Sequence, residues 1–229
     1  MTEFFQSIFG NGNLAMYGEA ILDTLKITLI STFLAYLIGV PLGVLLYATS
    51  KDSIMPNHHV NNIVGYIVNI IRSVPFMIAL VMLQPLAKIT VGSMIGDTAF
   101  IFYLVVAAGP FIARMVESSL KEVDLGVIEA AQSMGSGNSQ IIWKVLLPEA
   151  KPSLITGSAI AITTILGYTP MTQLVAGGGL GQLAIQYGLY RFDKPIMYIS
   201  SLLLILLVQI FQEVLSRLAR YSDKRIRGK

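Results

Sequence analysis

The sequence predicts an all-α integral membrane protein with about five membrane-crossing helices. Three observations carry that reading. The 229-residue chain is 54% hydrophobic and only 13% charged, where soluble domains run at about 25% charged. Five separate apolar stretches are long enough to cross a bilayer. Basic residues crowd onto alternate connecting loops. There is no cysteine, which excludes a disulfide framework, thiolate chemistry and Cys-based metal sites.

A span takes about 20 apolar residues at about 1.5 Å each. Residues 22–49, 63–86, 98–115, 154–175 and 196–215 qualify. Glu3, Glu19 and Asp23 precede or flank the first, and Lys26 is the first basic residue. A cleavable signal peptide has a basic lead and a shorter apolar core, so this span reads as retained. The second contains Arg72, and a central Arg costs about 2.5–3.5 kcal/mol on insertion. Residues 63–71 therefore read as partly interfacial, with the true span beginning near the turn from Arg72 to Pro75. There the guanidinium reaches headgroups or water. Gly39, Pro41 and Gly43, Pro75, Gly109 and Pro110, and Gly167 and Pro170 interrupt or narrow the spans. Such breaks are tolerated where neighbouring helices or a water cavity satisfy the freed carbonyls, and small residues allow close packing. Several together favour a moving bundle over a passive anchor.

Lys51, Arg114, Lys121, Lys144 and Lys151 share one set of loops with the basic tail from Arg217 to Lys229, eleven of the 16 basic residues. Lys26, Lys88, Arg191 and Lys194 lie on the opposite side. The positive-inside rule places the N-terminus outside and the C-terminus in the cytoplasm, as an odd number of spans requires. The tail suits anionic headgroups, worth about 1 kcal/mol per basic residue.

The largest cytoplasmic loop, 116–153, is polar and broken by glycine. Asp124 can cap a helix over 125–134, in which Leu125, Ile128, Ala131 and Met134 form an apolar stripe. Gly135 ends it. Ser136 or Asn138 can cap a second helix over 139–147, and Pro148 terminates that helix or starts the next span. The result is an exposed hairpin with apolar stripes on both arms. Each arm is too short to hold its helix in water unaided, so the hairpin gains order by docking.

The pattern Glu129, Ala130, Ala131, then Gly135, then Val145, Leu147 and Pro148 resembles the signature loop of ABC-importer permeases, with Val145 in place of the usual Ile. The likeness extends over "GVPLGVLLY" (39–47), "NIIRSVPF" (69–76), "GPFIARMVE" (109–117), "KVLLPEA" (144–150) and "GGGLGQ" (177–182). Together these look like the permease subunits of bacterial methionine importers. The resemblance implies a type I ABC importer permease core in one domain over 1–229, and a multi-pass protein of the bacterial cytoplasmic (inner) membrane. Its loop would be a coupling helix seated on a separate ATPase. It further implies a homodimer, two ATP-binding subunits and an extracytoplasmic methionine-binding lipoprotein. L-methionine, with D-methionine also accepted, is then the substrate. ATP and Mg belong to the partner ATPase, and this chain carries no cofactor.

No G-x-x-x-x-G-K-[ST] phosphate loop occurs, so ATP hydrolysis is not expected here. The glycines from Gly177 to Gly181 lack the lysine and read as an external turn that touches the binding protein. For the pathway, Tyr168, Thr169, Pro170, Met171, Thr172 and Gln173 place polar side chains and a helix breaker inside the fourth span. Polar groups in spans face a bundle interior or cavity, and a flexible Met can fill a constriction and move aside. By resemblance, Met171 lines the pathway and helps close it, and with Tyr168, Pro170 and Thr172 beside it makes the candidate pathway and gate. Pro170, Thr172 and Gln173 replace smaller residues of that subfamily.

His58 and His59 are adjacent and diverge by about 100° on a helix, so no metal site is expected. Tyr187, Tyr190 and Phe192 suit an interfacial aromatic belt. Lipid is an expected partner and nucleic acid is not. The rival readings are an importer permease for another amino acid or small peptide, a secondary transporter, which would want inverted repeats and buried ion ligands, and a membrane enzyme. The last would need acids, His or Cys converging within the spans, and Glu213 is the one acid well inside a late apolar run.

Overall fold

The computed structural model describes residues 13–51 and 53–223. Glu3 and the end of the basic tail, Lys224 to Lys229, lie outside the described residues. The described chain is helical, with no strand among these residues. In order it forms α1 (Asn13–Ala48), α2 (His58–Ser73), α3 (Phe76–Met82), α4 (Gln84–Thr90) and α5 (Asp97–Lys121). Then come α6 (Leu125–Ser133), α7 (Asn138–Ile141), a π turn (Ile142–Leu146), α8 (Leu147–Glu149) and α9 (Lys151–Tyr168). A 3-10 segment (Thr169–Val175), α10 (Leu180–Ile185), a second π turn (Gln186–Tyr190) and α11 (Lys194–Ser222) complete it. Four helices are long and apolar enough to cross a membrane, or five if the bent pair α2 and α3 counts as one span.

Two compact units divide the chain, one of residues 1–33, 75–106 and 162–211, the other of 34–74, 107–161 and 212–229. The boundaries cut α1, α5, α9 and α11, so each long helix contributes to both. In the first unit Leu180 and Leu183 of α10 pack with Tyr17 and Ala20 of α1 and Ile196 of α11. In the second, Leu46, Val68 and Ala113 form a core between α1, α2 and α5.

The proline expectation splits by position. Pro41 lies inside α1 and Pro110 inside α5, and neither helix is interrupted. A proline removes one backbone donor, and a helix of 25 or 36 residues held by its neighbours absorbs that loss. Pro75 does break the chain, because residues before proline are driven out of the α region. Val74 is extended, with φ −81° and ψ 121°. The predicted second span is therefore two helices, and Arg72 lies exposed in the last turn of the first. The outer glycine run is only partly a turn: Gly181 lies inside α10. Tyr190 and Phe192 are exposed as a belt requires. Tyr187 is not, since its ring packs on the Tyr17 and Leu183 cluster and carries the Arg191 guanidinium 4.7 Å above its centroid.

Candidate functional site

The hairpin of the second unit forms from local rules. Asp124 is extended and accepts from the Gly126 N–H at 2.7 Å, capping α6. At the other end Gly135 has φ +77°, its N–H reaches the Gln132 carbonyl at 2.9 Å, and Ser136 N–H reaches Ala131 at 3.1 Å. That pair of bonds is the Schellman closure, which needs a left-handed residue where Gly135 stands. The second arm is capped differently from expectation. Gly137, not Ser136 or Asn138, precedes the helix, and Gln140 reaches back to accept from the Gly137 N–H at 3.1 Å.

This arm widens to a π turn at Ile142–Leu146, where the Leu147 N–H bonds the Ile142 carbonyl. Pro148, with no N–H, follows directly. It neither ends the arm nor isolates the next span: Ala150 N–H bonds Leu146 and Leu154 N–H bonds Ala150, both at 2.9 Å. The hairpin thus runs by helical hydrogen bonds into α9.

The apolar stripe of α6 divides. Ile128 and Ala131 are buried against the chain, whereas Leu125 is 60% and Met134 79% exposed. Glu129, Ala130, Gly135 and Pro148 are also exposed, and Val145 and Leu147 are half-buried. Trp143, the one tryptophan of the sequence, is 69% exposed beside them. Apolar side chains left bare at the tip of a polar loop are the mark of a docking surface.

Beneath the hairpin an open cleft of about 360 Å³ is lined by Ser119, Glu122, Glu149, Ser153 and Asp223 among others. Three carboxylates make it a poor seat for an apolar or anionic solute.

Tyr168, Pro170, Met171 and Thr172, which the sequence marks as a candidate pathway and gate, belong to the first unit. After Tyr168 the helix tightens into the 3-10 segment, with Pro170 in its first turn. Thr169 donates to the Leu166 carbonyl at 2.7 Å and Thr172 to the Thr169 carbonyl at 2.8 Å. Both threonines are buried. Their hydroxyls therefore serve the carbonyls of the tightened turn, while Tyr168, Pro170 and Met171 are half-exposed. The Tyr168 ring stacks on Phe76 at 4.4 Å, and Phe76 meets Phe100 edge-on at 5.9 Å. The break in the fourth span is thereby tied to the residue that follows the Pro75 break. Sequence reasoning missed that contact, and no local pattern encodes it.

It also missed a charge network in the second unit. Arg114 donates to Glu117 at 2.7 Å, to Asn69 at 3.0 Å and to the Gly65 carbonyl at 3.1 Å. Lys121 donates to the other Glu117 oxygen at 2.7 Å. Glu117 is buried and doubly paired, as a buried carboxylate requires. The signal was available: Arg114, Glu117 and Lys121 are spaced three and four apart, on one helix face.

A family profile described as "Binding-protein-dependent transport system inner membrane component" matches residues 39–228. The chain belongs to this family of membrane transport components. Among its relatives, the "Probable D-methionine transport system permease protein MetI" of Vibrio cholerae is 45% identical over 203 residues, 89% of this chain and 90% of that one. The "Methionine import system permease protein MetP" of Bacillus subtilis is 40% identical over 221 residues, 96% of this chain and 100% of that one. A chain from an inward-facing form of the MetNI methionine ABC transporter superposes with a TM-score of 0.91 at 41% identity, covering 93% of this chain and 99% of that chain. The fold is that of a type I ABC-importer permease. A chain from a crystal structure of "an amino acid ABC transporter with histidines" shares it, with a TM-score of 0.74 at 19% identity over 91% of this chain and 94% of that one.

Proposed function

We propose that this chain is the membrane-spanning permease subunit of an ATP-driven importer of methionine, L and also D. One observation carries the mechanical half of that reading. A hairpin capped by Asp124 and closed by Gly135 presents bare Leu125 and Met134, and its second arm runs by helical hydrogen bonds into α9. The relatives named for methionine transport support the choice of substrate.

In this reading two copies assemble with two ATP-binding subunits and an extracytoplasmic methionine-binding lipoprotein. The chain sits N-terminus outside and C-terminus in the cytoplasm. ATP and Mg are held by the partner ATPases, whose closure supplies the work. The hairpin, through Glu129, Ala130, Ala131, Gly135, Val145, Leu147 and Pro148, seats on the ATPase. A rigid displacement of its second arm moves α9, and the gate around Tyr168, Pro170, Met171 and Thr172 opens toward the binding protein. No covalent step falls on this chain.

The test is uptake of labelled L-methionine into liposomes holding this chain with its ATPase, with binding protein on the outside and ATP within. Uptake should require ATP, need no ion gradient, and fall when D-methionine competes. Uptake driven by an ion gradient without ATP would refute the importer reading. Competition by another amino acid and not by methionine would refute the substrate.

A further inference from the structure

The loop that follows the gate segment is held by side chains from two other helices of its unit. Asp97, first residue of α5, accepts the Gly178 N–H at 2.8 Å through Oδ1. Thr24 on α1 accepts the Leu180 N–H at 2.9 Å and donates its own hydrogen to the Ala20 carbonyl at 2.7 Å. The Gly96 N–H, one residue before Asp97, bonds the Val175 carbonyl at 2.6 Å. Lys26 stands 4.0 Å from the second Asp97 oxygen.

The fit is close at Gly178 and Gly179. A Cβ on Gly178 would stand 2.5 Å from Asp23 Oδ2, and one on Gly179 would stand 2.9 Å from Thr24 Oγ1. Gly179 also has φ +106°, a backbone conformation that glycine adopts freely and other residues rarely do. Thr24 is wholly buried, and it spans 156 residues of sequence to reach Leu180.

We infer that Asp97 and Thr24 are positioning residues of the transport cycle, a latch that holds the outer end of the Thr169–Val175 segment and keeps the gate shut until the loop is released. The inference rests on the importer reading for what the gate passes, but not for how the latch works. Breaking either hydrogen bond loosens the loop beyond Val175 and leaves the segment's outer end on the Gly96 bond alone, while its inner end stays anchored by the Thr169 bond to Leu166. The Gly178 and Leu180 N–H groups are then the donors that must exchange partners when the gate opens outward.

The absence of cysteine from the chain makes the test direct. A Met171→Cys reporter, in right-side-out vesicles without nucleotide, is treated from outside with a membrane-impermeant maleimide. In the parent background the thiol should label slowly. Asp97→Ala or Thr24→Val should speed labelling at least tenfold. Asp97→Asn and Thr24→Ser keep the acceptor oxygen and should restore protection. A merely structural role would not separate the two members of each pair.

Unchanged labelling in Asp97→Ala and Thr24→Val, including none at all, overturns the latch. So does loss of membrane assembly in both, since a latch is dispensable for folding. If one of the two fails to assemble, the other decides. Labelling involves no substrate. Failure to import methionine with the labelling pattern intact would sink the transport reading and spare the latch, and ATP-driven uptake with unchanged labelling would do the reverse.

Discussion

Gly43→Ala, one methyl group in the C-terminal part of α1, should be among the most damaging small substitutions in the second unit. A Cβ there would stand 2.5 Å from the Ala113 carbonyl oxygen and 2.6 Å from Val116 Cβ. Carbon contacts settle at about 3.5–4.0 Å, so α1 and α5 must part by roughly an ångström. The obstacle includes a backbone carbonyl in mid-helix, which no rotamer change can move. Overpacking costs about 1–3 kcal/mol, and an immovable obstacle puts Gly43→Ala at the upper end. At about 2–4 °C of melting temperature per kcal/mol for a chain this long, the midpoint should fall by about 6–12 °C.

Gly39→Ala should follow closely, with Ile112 Cγ2 at 2.7 Å and the Gly109 carbonyl at 2.9 Å. Gly109 supplies the control from the same contact. Its Cβ would meet nothing nearer than Ile38 Cγ2 at 3.7 Å, so Gly109→Ala should be neutral or gain the roughly 1 kcal/mol by which alanine exceeds glycine in a helix. The assay heats detergent-solubilised protein and follows the monodisperse fraction by size-exclusion chromatography. Gly43→Ala melting no lower than Gly109→Ala would refute the reasoning.

Three further outcomes are expected. Gly135→Val forces a β-branched residue into φ +77° at about 1–2 kcal/mol; ATP hydrolysis should continue without uptake while membrane insertion is kept, and normal uptake contradicts the hairpin's coupling role. Arg114→Lys keeps the charge but loses the fork that reaches both Gly65 and Asn69, so hydrogen exchange across α2 should rise. Arg114→Leu should cost more, up to the roughly 3–5 kcal/mol of a broken buried pair, moderated because Lys121 still holds Glu117; melting like the parent would count against the network. Phe76→Leu and Tyr168→Leu should couple in a double-mutant cycle by about 0.5–1.5 kcal/mol, and strict additivity would show that the stack does nothing.

Much of the 125–147 hairpin was legible in the chain because its rules are local. Asp124 caps within two residues, and α6 is closed by the Gly135 N–H bonding the carbonyl three residues back and the Ser136 N–H bonding the one five back. The second arm's cap was misplaced because Ser136, Gly137 and Asn138 are all competent there. The choice fell to Gln140, whose side chain reaches the Gly137 N–H. The proposed gate segment was half legible. Pro170 announced a break and the polarity of Thr169 and Thr172 was plain, but only the structure showed that their hydroxyls bond the carbonyls of the tightened turn.

Composition and period determined by themselves that this is a helical membrane protein, where its long apolar segments run and which loop stays polar, since hydrocarbon rejects charge and unpaired backbone whatever the partners. Only the tertiary structure decided which prolines break their helices. Pro41 and Pro110 sit within helices long enough to absorb a missing donor, while Pro75 and Pro170 fall where the chain turns or tightens. The fold likewise decided that Asp97 and Thr24 hold the glycine loop, Thr24 from 156 residues away. Bonds between residues so distant in the chain leave no periodicity to read.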